Sequence, residues 1–165
     1  MMSPPPPREI WEHLYRQAYP TVYRALAATL LDADRAADAL QEAFIAGLRR
    51  PPRHDRNLPG WLYQVALRKA RRDLLRSVRI VFRDLVSAHA QRIANDELDR
   101  VLDRISVGEL LRLLTERQRS IVVAYYFLDL SQDEIAELLG IKRGTVAATI
   151  AQALARMRQG GIHVL

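Results

Sequence analysis

The sequence predicts an all-α protein made of two small helical domains joined by a linker. All eight prolines lie at or before Pro59, so the chain from Trp61 onward lacks the residue that helix interiors tolerate least. Long stretches beyond that point are rich in Ala, Leu, Arg and Glu, which are mostly strong helix formers. Thr115-Glu116-Arg117-Gln118 and Ser131-Gln132-Asp133-Glu134 both have capping-box form: first and fourth side chains satisfy opposed backbone donors at a helix start.

Residues 1–7, with Ser3 and Pro4 to Pro7, read as a disordered tail, and no charged-then-apolar leader opens the chain. Residues 8–78 form the expected N-terminal domain. Its first apolar positions, Trp11, Leu14, Tyr15, Ala18, Val22 and Leu26, follow three-and-four spacing. They predict one helix before Pro20 and a second with Pro20 near its first turn, where a missing N–H costs little. Asp34 is the expected cap of the next helix, whose core stripe is read as Ala37, Leu40, Phe44 and Leu48. Pro51, Pro52, Pro59 and Gly60 make the following stretch a loop. A longer helix starts near Gly60 with Trp61, Leu62, Val65 and Ala66 and runs through Leu74 and Leu75. Residues 79–106, balanced in charge, read as a partly helical linker.

Residues 107–160 form the expected C-terminal domain, with 161–165 as a tail. Each capping box precedes an apolar helical pattern, Ile121, Val122 and Tyr125 after the first and Ile135, Leu138 and Leu139 after the second. Gly140 stops the second helix in the left-handed conformation a tight turn needs, and small Ala136 lets the flanking helices approach. Val146, Ile150, Leu154 and Met157 stripe a third helix. Two helices about such a turn form a helix-turn-helix, a frequent DNA-reading unit. Lys142 and Arg143 stand at the start of the last helix, where cations oppose the macrodipole. Basic groups make sense there if a phosphate docks at that end, and Gly144 beside them permits close backbone approach.

At 165 residues the chain allows one ordinary domain or two small lobes. The absence of cysteine excludes disulfides, thiol catalysis and Cys-ligated metal, and fits a reducing cytoplasm. The longest apolar run, Ile121 to Leu128, is eight residues, far below the roughly 20 needed to span a bilayer. Five of the six net positive charges fall in residues 51–78, which carry seven basic groups (Arg53, Arg56, Arg68, Lys69, Arg71, Arg72, Arg76) against Asp55 and Asp73. Such a cluster is the footprint of a polyanion partner, although a charge run can also be a merely solvated face.

The string LTERQRSIVVAYYFLDLSQDEIAELLGIKRGTV resembles the −35-reading domain of bacterial RNA polymerase sigma factors. YPTVYR, ADALQEAFIAGL and WLYQVALRKARRDLLR resemble the other domain retained by their small two-domain, extracytoplasmic-function group. The likeness covers roughly 8–78 and 107–158. It implies a factor that binds core polymerase, through the β′ clamp helices and the β flap, recognises promoter DNA at −10 and −35, and initiates transcription without chemistry or cofactor of its own. An anti-sigma protein is a further implied partner. The resemblance places core binding on Asp38, Gln41 and Glu42, which share a helix at three-and-four spacing. It places −10 binding on Arg53, Arg56 and Asn57 of the loop and on Trp61, Arg68, Lys69, Arg71, Arg72 and Arg76 of the helix. Trp61 could stack on an unpaired base, though a Trp beside Leu62 is more often core. The −35 contact falls on Ser131, Lys142, Arg143, Gly144, Thr145, Ala147 and Thr149.

The sequence departs from the family pattern in two places. An Asn usual near Arg68 or Lys69 is missing and the acid Asp73 is displaced by one, so −10 contacts are assigned to the stripe Arg68, Arg72 and Arg76 with Arg71 flanking. In the reading helix, Ala147, Ala148 and Thr149 replace a frequent basic and hydroxyl run, which implies a weaker or differently specified −35 contact. A metal-dependent nuclease is disfavoured, because Asp96, Glu97, Asp99 and Asp103 have no His at metal spacing, with His13, His54, His89 and His163 scattered. The alternative is a helix-turn-helix regulator acting without core polymerase, or a bundle that sequesters a protein. A simple repressor has no need of the Asp38 and Gln41 surface or of a basic −10 helix.

Overall fold

A computed structural model describes residues 8–52, 57–83 and 105–161, and every regular element among them is a helix. The N-terminal lobe is a bundle of α1 (Arg8–Leu30), α2 (Ala33–Arg49) and α3 (Leu58–Arg83). The C-terminal lobe holds α4 (Ile105–Arg112), α5 (Glu116–Tyr126), α6 (Gln132–Leu139) and α7 (Arg143–Gly161). The tail 1–7, Arg53 and Arg56, His54, residues 84–104 with their acidic cluster, and 162–165 lie outside the described residues.

The expected break at Pro20 does not occur: α1 runs through it as one helix. Pro20 sits on the exposed side, where solvent can reach the Arg16 carbonyl that loses its donor. Ala18, Val22, Ala25 and Leu26 meanwhile keep one buried face continuous across it. The cap of α2 is Asp32, not Asp34. Its carboxylate accepts from the Arg35 amide at 2.9 Å, while Asp34 lies inside the first turn. The α1–α2 joint decides this, because Leu31 turns the chain at a positive φ of 54° and α2 starts two residues later.

The core stripe of α2 is also rotated from the expected one. Ala33, Ala36, Ala39, Leu40, Ala43 and Gly47 are buried, whereas Ala37 and Phe44 are half-buried and Leu48 is exposed. Small residues let α2 lie close to its neighbours, and at Gly47 the indole of Trp11 occupies the space a Cβ would need. Trp11 then stacks on Phe44 (centroids 6.2 Å) and meets the edge of Trp61 (5.9 Å), tying all three helices together.

The α3 helix continues to Arg83 and α4 begins at Ile105, so the expected linker 79–106 is helical at both described ends. In the C-terminal lobe both capping boxes form as expected, Thr115 with Gln118 and Ser131 with Glu134. Gly140 closes α6 at φ 64°, its amide and that of Ile141 reaching back to α6 carbonyls. Val146, Ile150 and Ala153 of α7 are buried, with Leu154 and Met157 packed at the edge.

The lobes pack against each other, α5 on α1 and α6 on α3. The join has a polar centre. The buried Tyr63 hydroxyl lies 2.6 Å from Thr29 Oγ1 and donates to the Ser120 carbonyl at 3.1 Å. Arg119 donates to Thr29 O (2.8 Å) across the join and to Leu114 O (2.7 Å) in its own lobe. Sequence reasoning singled out none of these four residues, since nothing local marks a polar group that is satisfied only by a distant helix.

Candidate nucleic-acid interface

Asp38, Gln41 and Glu42 project from the solvent face of α2, all exposed. Leu40, Ala36, Ala39 and Ala43 of α2 face inward, so Asp38, Gln41 and Glu42 face out. The neighbouring α3 crosses beside them. Asp38, Gln41 and Glu42 line one cleft of about 400 Å³ with Lys69, Arg72 and Asp73. The expected core-binding acids and two of the expected −10 cations thus share a surface.

The basic residues of α3 divide into free and engaged groups. Arg68 and Arg72, one turn apart, are exposed. Lys69 bonds Glu42 at 3.1 Å, and Arg71 Nε bonds Glu116 at 2.9 Å across the lobes. The Arg76 side chain lies outside the described residues. Asn57 is the N-terminal cap of α3, its side chain accepting from the Gly60 amide at 2.9 Å while its Nδ2 donates to Glu134 at 3.3 Å. Trp61 is half-buried against Trp11, which assigns its ring to the core. The structure therefore brings together Asp38, Gln41, Glu42, Lys69 and Arg72, and draws Asn57 and Arg71 toward the second lobe.

In the helix-turn-helix, Lys142, Arg143, Gly144 and Thr145 are exposed at the start of α7, and Ala147 is half-buried. Arg143 lies 3.6 Å from Asp133, with both side chains mostly exposed. Gly144 has open space where a Cβ would stand. Ser131 is spent on its cap, and its amide and hydroxyl both donate to Glu134 at 2.8 Å. Those hydrogen bonds hold the Glu134 carboxyl below the ordinary carboxylate range. Thr149 is buried against the wall of the groove between α5 and α7, and its hydroxyl hydrogen is committed to Thr145 O at 2.7 Å. A groove of about 520 Å³ runs between α5 and α7 along Arg117, Gln118, Gly144, Thr145, Ala148 and Gln152. Arg117, Gln118 and Gln152 were missed in the sequence; the i, i+4 spacing of Ala148 and Gln152 on the Gly144 and Thr145 side was the available signal.

Comparison with known proteins agrees with this layout. The family model for sigma-70 region 2 matches residues 14–80, and that for sigma-70 region 4 matches residues 104–157. The ECF RNA polymerase sigma factor SigL of Mycobacterium tuberculosis is 29% identical over 153 residues, covering 88% of this chain and 85% of that protein. The RNA polymerase sigma-E factor of Streptomyces avermitilis is 37% identical over 65 residues, a match spanning 39% of this chain and only 36% of that protein. Among solved structures, the sigma factor RpoE in complex with the anti-sigma factor NepR from Bartonella quintana superposes with a TM-score of 0.71 at 18% identity, covering 92% of this chain and 96% of that one. CnrH in complex with the cytosolic domain of CnrY gives 0.65 at 23% identity, covering 92% and 87%. The chain belongs to the sigma-70 family of RNA polymerase sigma factors, in the extracytoplasmic-function group.

Proposed function

We propose that this protein recruits core RNA polymerase to promoters, reads the −10 and −35 elements and initiates transcription, contributing binding energy and no chemistry. The observation that carries this is the shared cleft of α2 and α3, where Asp38, Gln41 and Glu42 adjoin Lys69 and Arg72. A regulator acting without polymerase needs only the helix-turn-helix; an acidic docking face set against a basic helix serves a protein that grips polymerase and DNA together. In this reading Arg68 and Arg72 hold the −10 backbone through charge, and Lys142, Arg143 and Thr145 carry the upstream contact. Thr149 backs Thr145 from within α7, Ser131 caps α6, and Trp61 braces α3. The site of action is the cytoplasm, and no described helix is long and apolar enough to cross a membrane.

The packed lobes must part for this to happen. Elements centred 25 base pairs apart are separated by about 85 Å at ~3.4 Å per step, whereas a compact chain of this length is only about 40 Å across. Between the lobes, a groove of about 470 Å³ presents Leu74, Leu75, Leu139 and Ile141, with Leu75 65% exposed. An anti-sigma segment seated there would hold the lobes together. Co-purification of Asp38→Arg with core polymerase tests the central role: the reversed charge abolishes association while the helical circular dichroism spectrum persists. Undiminished co-purification removes Asp38 from the interface.

A further inference from the structure

Lys69 and Glu42 are assigned to different partners, DNA and polymerase, yet they pair with each other. The ammonium of Lys69 lies 3.1 Å from Glu42 Oε2, and both side chains are partly open to solvent, 32% and 53%. Each charge is partly spent on the other, so a macromolecule that binds either one must compete with that pairing. We infer that Glu42 is a positioning residue that couples polymerase binding to −10 binding through Lys69, an inference that rests on the sigma-factor reading above.

The coupling follows from thermodynamic linkage. Polymerase that takes the Glu42 carboxylate breaks the pair and frees Lys69 for a phosphate. DNA that takes Lys69 frees Glu42 for polymerase. Whichever ligand arrives first bears the cost of separating the two charges, and the second binds without it. The two affinities must therefore rise by the same factor. A half-exposed ion pair sets that factor at about two- to fivefold, shrinking as salt screens the pair. Arg72, in the same cleft, is 3 residues along α3 and exposed, so it remains available to DNA throughout.

A double-mutant cycle on the full chain tests this. Affinity for a fluorescent single-stranded −10 oligonucleotide at low salt is measured for wild type, Glu42→Gln, Lys69→Gln and the double variant. Glu109→Gln, which removes an exposed acid from the other lobe, controls for net charge. Glu42→Gln raises affinity two- to fivefold, beyond the control, and the gain vanishes when residue 69 is Gln. In the second arm, Lys69→Gln raises the affinity for core polymerase by a similar factor, and this gain vanishes in the Glu42→Gln background. A Glu42→Gln effect no larger than the control, or one that persists without Lys69, overturns the coupling. Failure of the wild type to bind core defeats the sigma-factor reading and with it the coupling to polymerase, whereas the oligonucleotide cycle separately decides whether Glu42 restrains Lys69.

Discussion

The Tyr63 hydroxyl donates to the Ser120 carbonyl at 3.1 Å and lies 2.6 Å from Thr29 Oγ1, so one phenol fastens the basic helix α3 to the lobe that carries the helix-turn-helix. Thr29 Oγ1 is also 2.9 Å from the Ala25 carbonyl. With the Tyr63 hydrogen on Ser120 O, the single Thr29 hydrogen is shared between the Tyr63 oxygen and the Ala25 carbonyl. Removing the phenol oxygen leaves Ser120 O buried without that donor. Tyr63→Phe is therefore expected to destabilise the folded chain by about 1–2 kcal/mol in urea denaturation. A variant as stable as wild type would show that the join is held by apolar packing alone.

Alkaline pH probes the same phenol. Burial pushes the Tyr63 hydroxyl far above its ordinary value, and burial next to Tyr19 pushes Tyr15 up to about 12. Both groups stay neutral when folded while the unfolded chain ionises near pH 10. Their contribution is complete below about pH 10 and is lost as pH rises through the folded values. Stability measured from pH 9 to 11.5 should fall over that range, and less steeply in Tyr63→Phe.

Gly140 turns at φ 64° with open space around its Cβ position, so a substitution there meets backbone strain and no clash. Gly140→Ala should cost roughly 1 kcal/mol in thermal denaturation. Gly47→Ala is the opposite case: its Cβ would enter the Trp11 ring, and about 1–3 kcal/mol is expected from overpacking. A Gly47→Ala variant as stable as wild type would contradict the overpacking, and an unaffected Gly140→Ala variant the strain.

Arg72 is exposed on the basic helix. Replacing it with Ala should flatten the salt dependence of promoter binding by about one phosphate, a slope change of roughly 0.7–0.9 in log K against log salt. An unaltered slope would mean that the side chain is only solvated.

The helix-turn-helix was legible because its signals are local: two capping boxes, a glycine that must turn left-handed, and one apolar stripe on α7. Sequence and structure differ where a distant contact chooses between local options. Asp32 and Asp34 are both good caps, and the tightness of the α1–α2 joint selects the first. Spacing from Asp34 puts the α2 stripe on Ala37, Leu40, Phe44 and Leu48, whereas Trp11, filling the space at Gly47, turns the small residues inward. In the candidate site, exposure of the acids on α2 and of Arg68 and Arg72 on α3 could be read from periodicity. The pairing of Lys69, Arg71 and Asn57 with Glu42, Glu116 and Glu134 could not, since those partners stand 27 to 77 residues away. Thr149 sits at a reading-helix position by spacing, but its hydroxyl is used within its own helix.

Transcription in vitro, with purified chain, bacterial core polymerase and a library of promoter fragments, tests the proposed function most directly. RNAs with defined 5′ ends should arise only when the chain is present, from templates sharing two elements at fixed spacing. No association with core, and no specific RNA from any template, would contradict it.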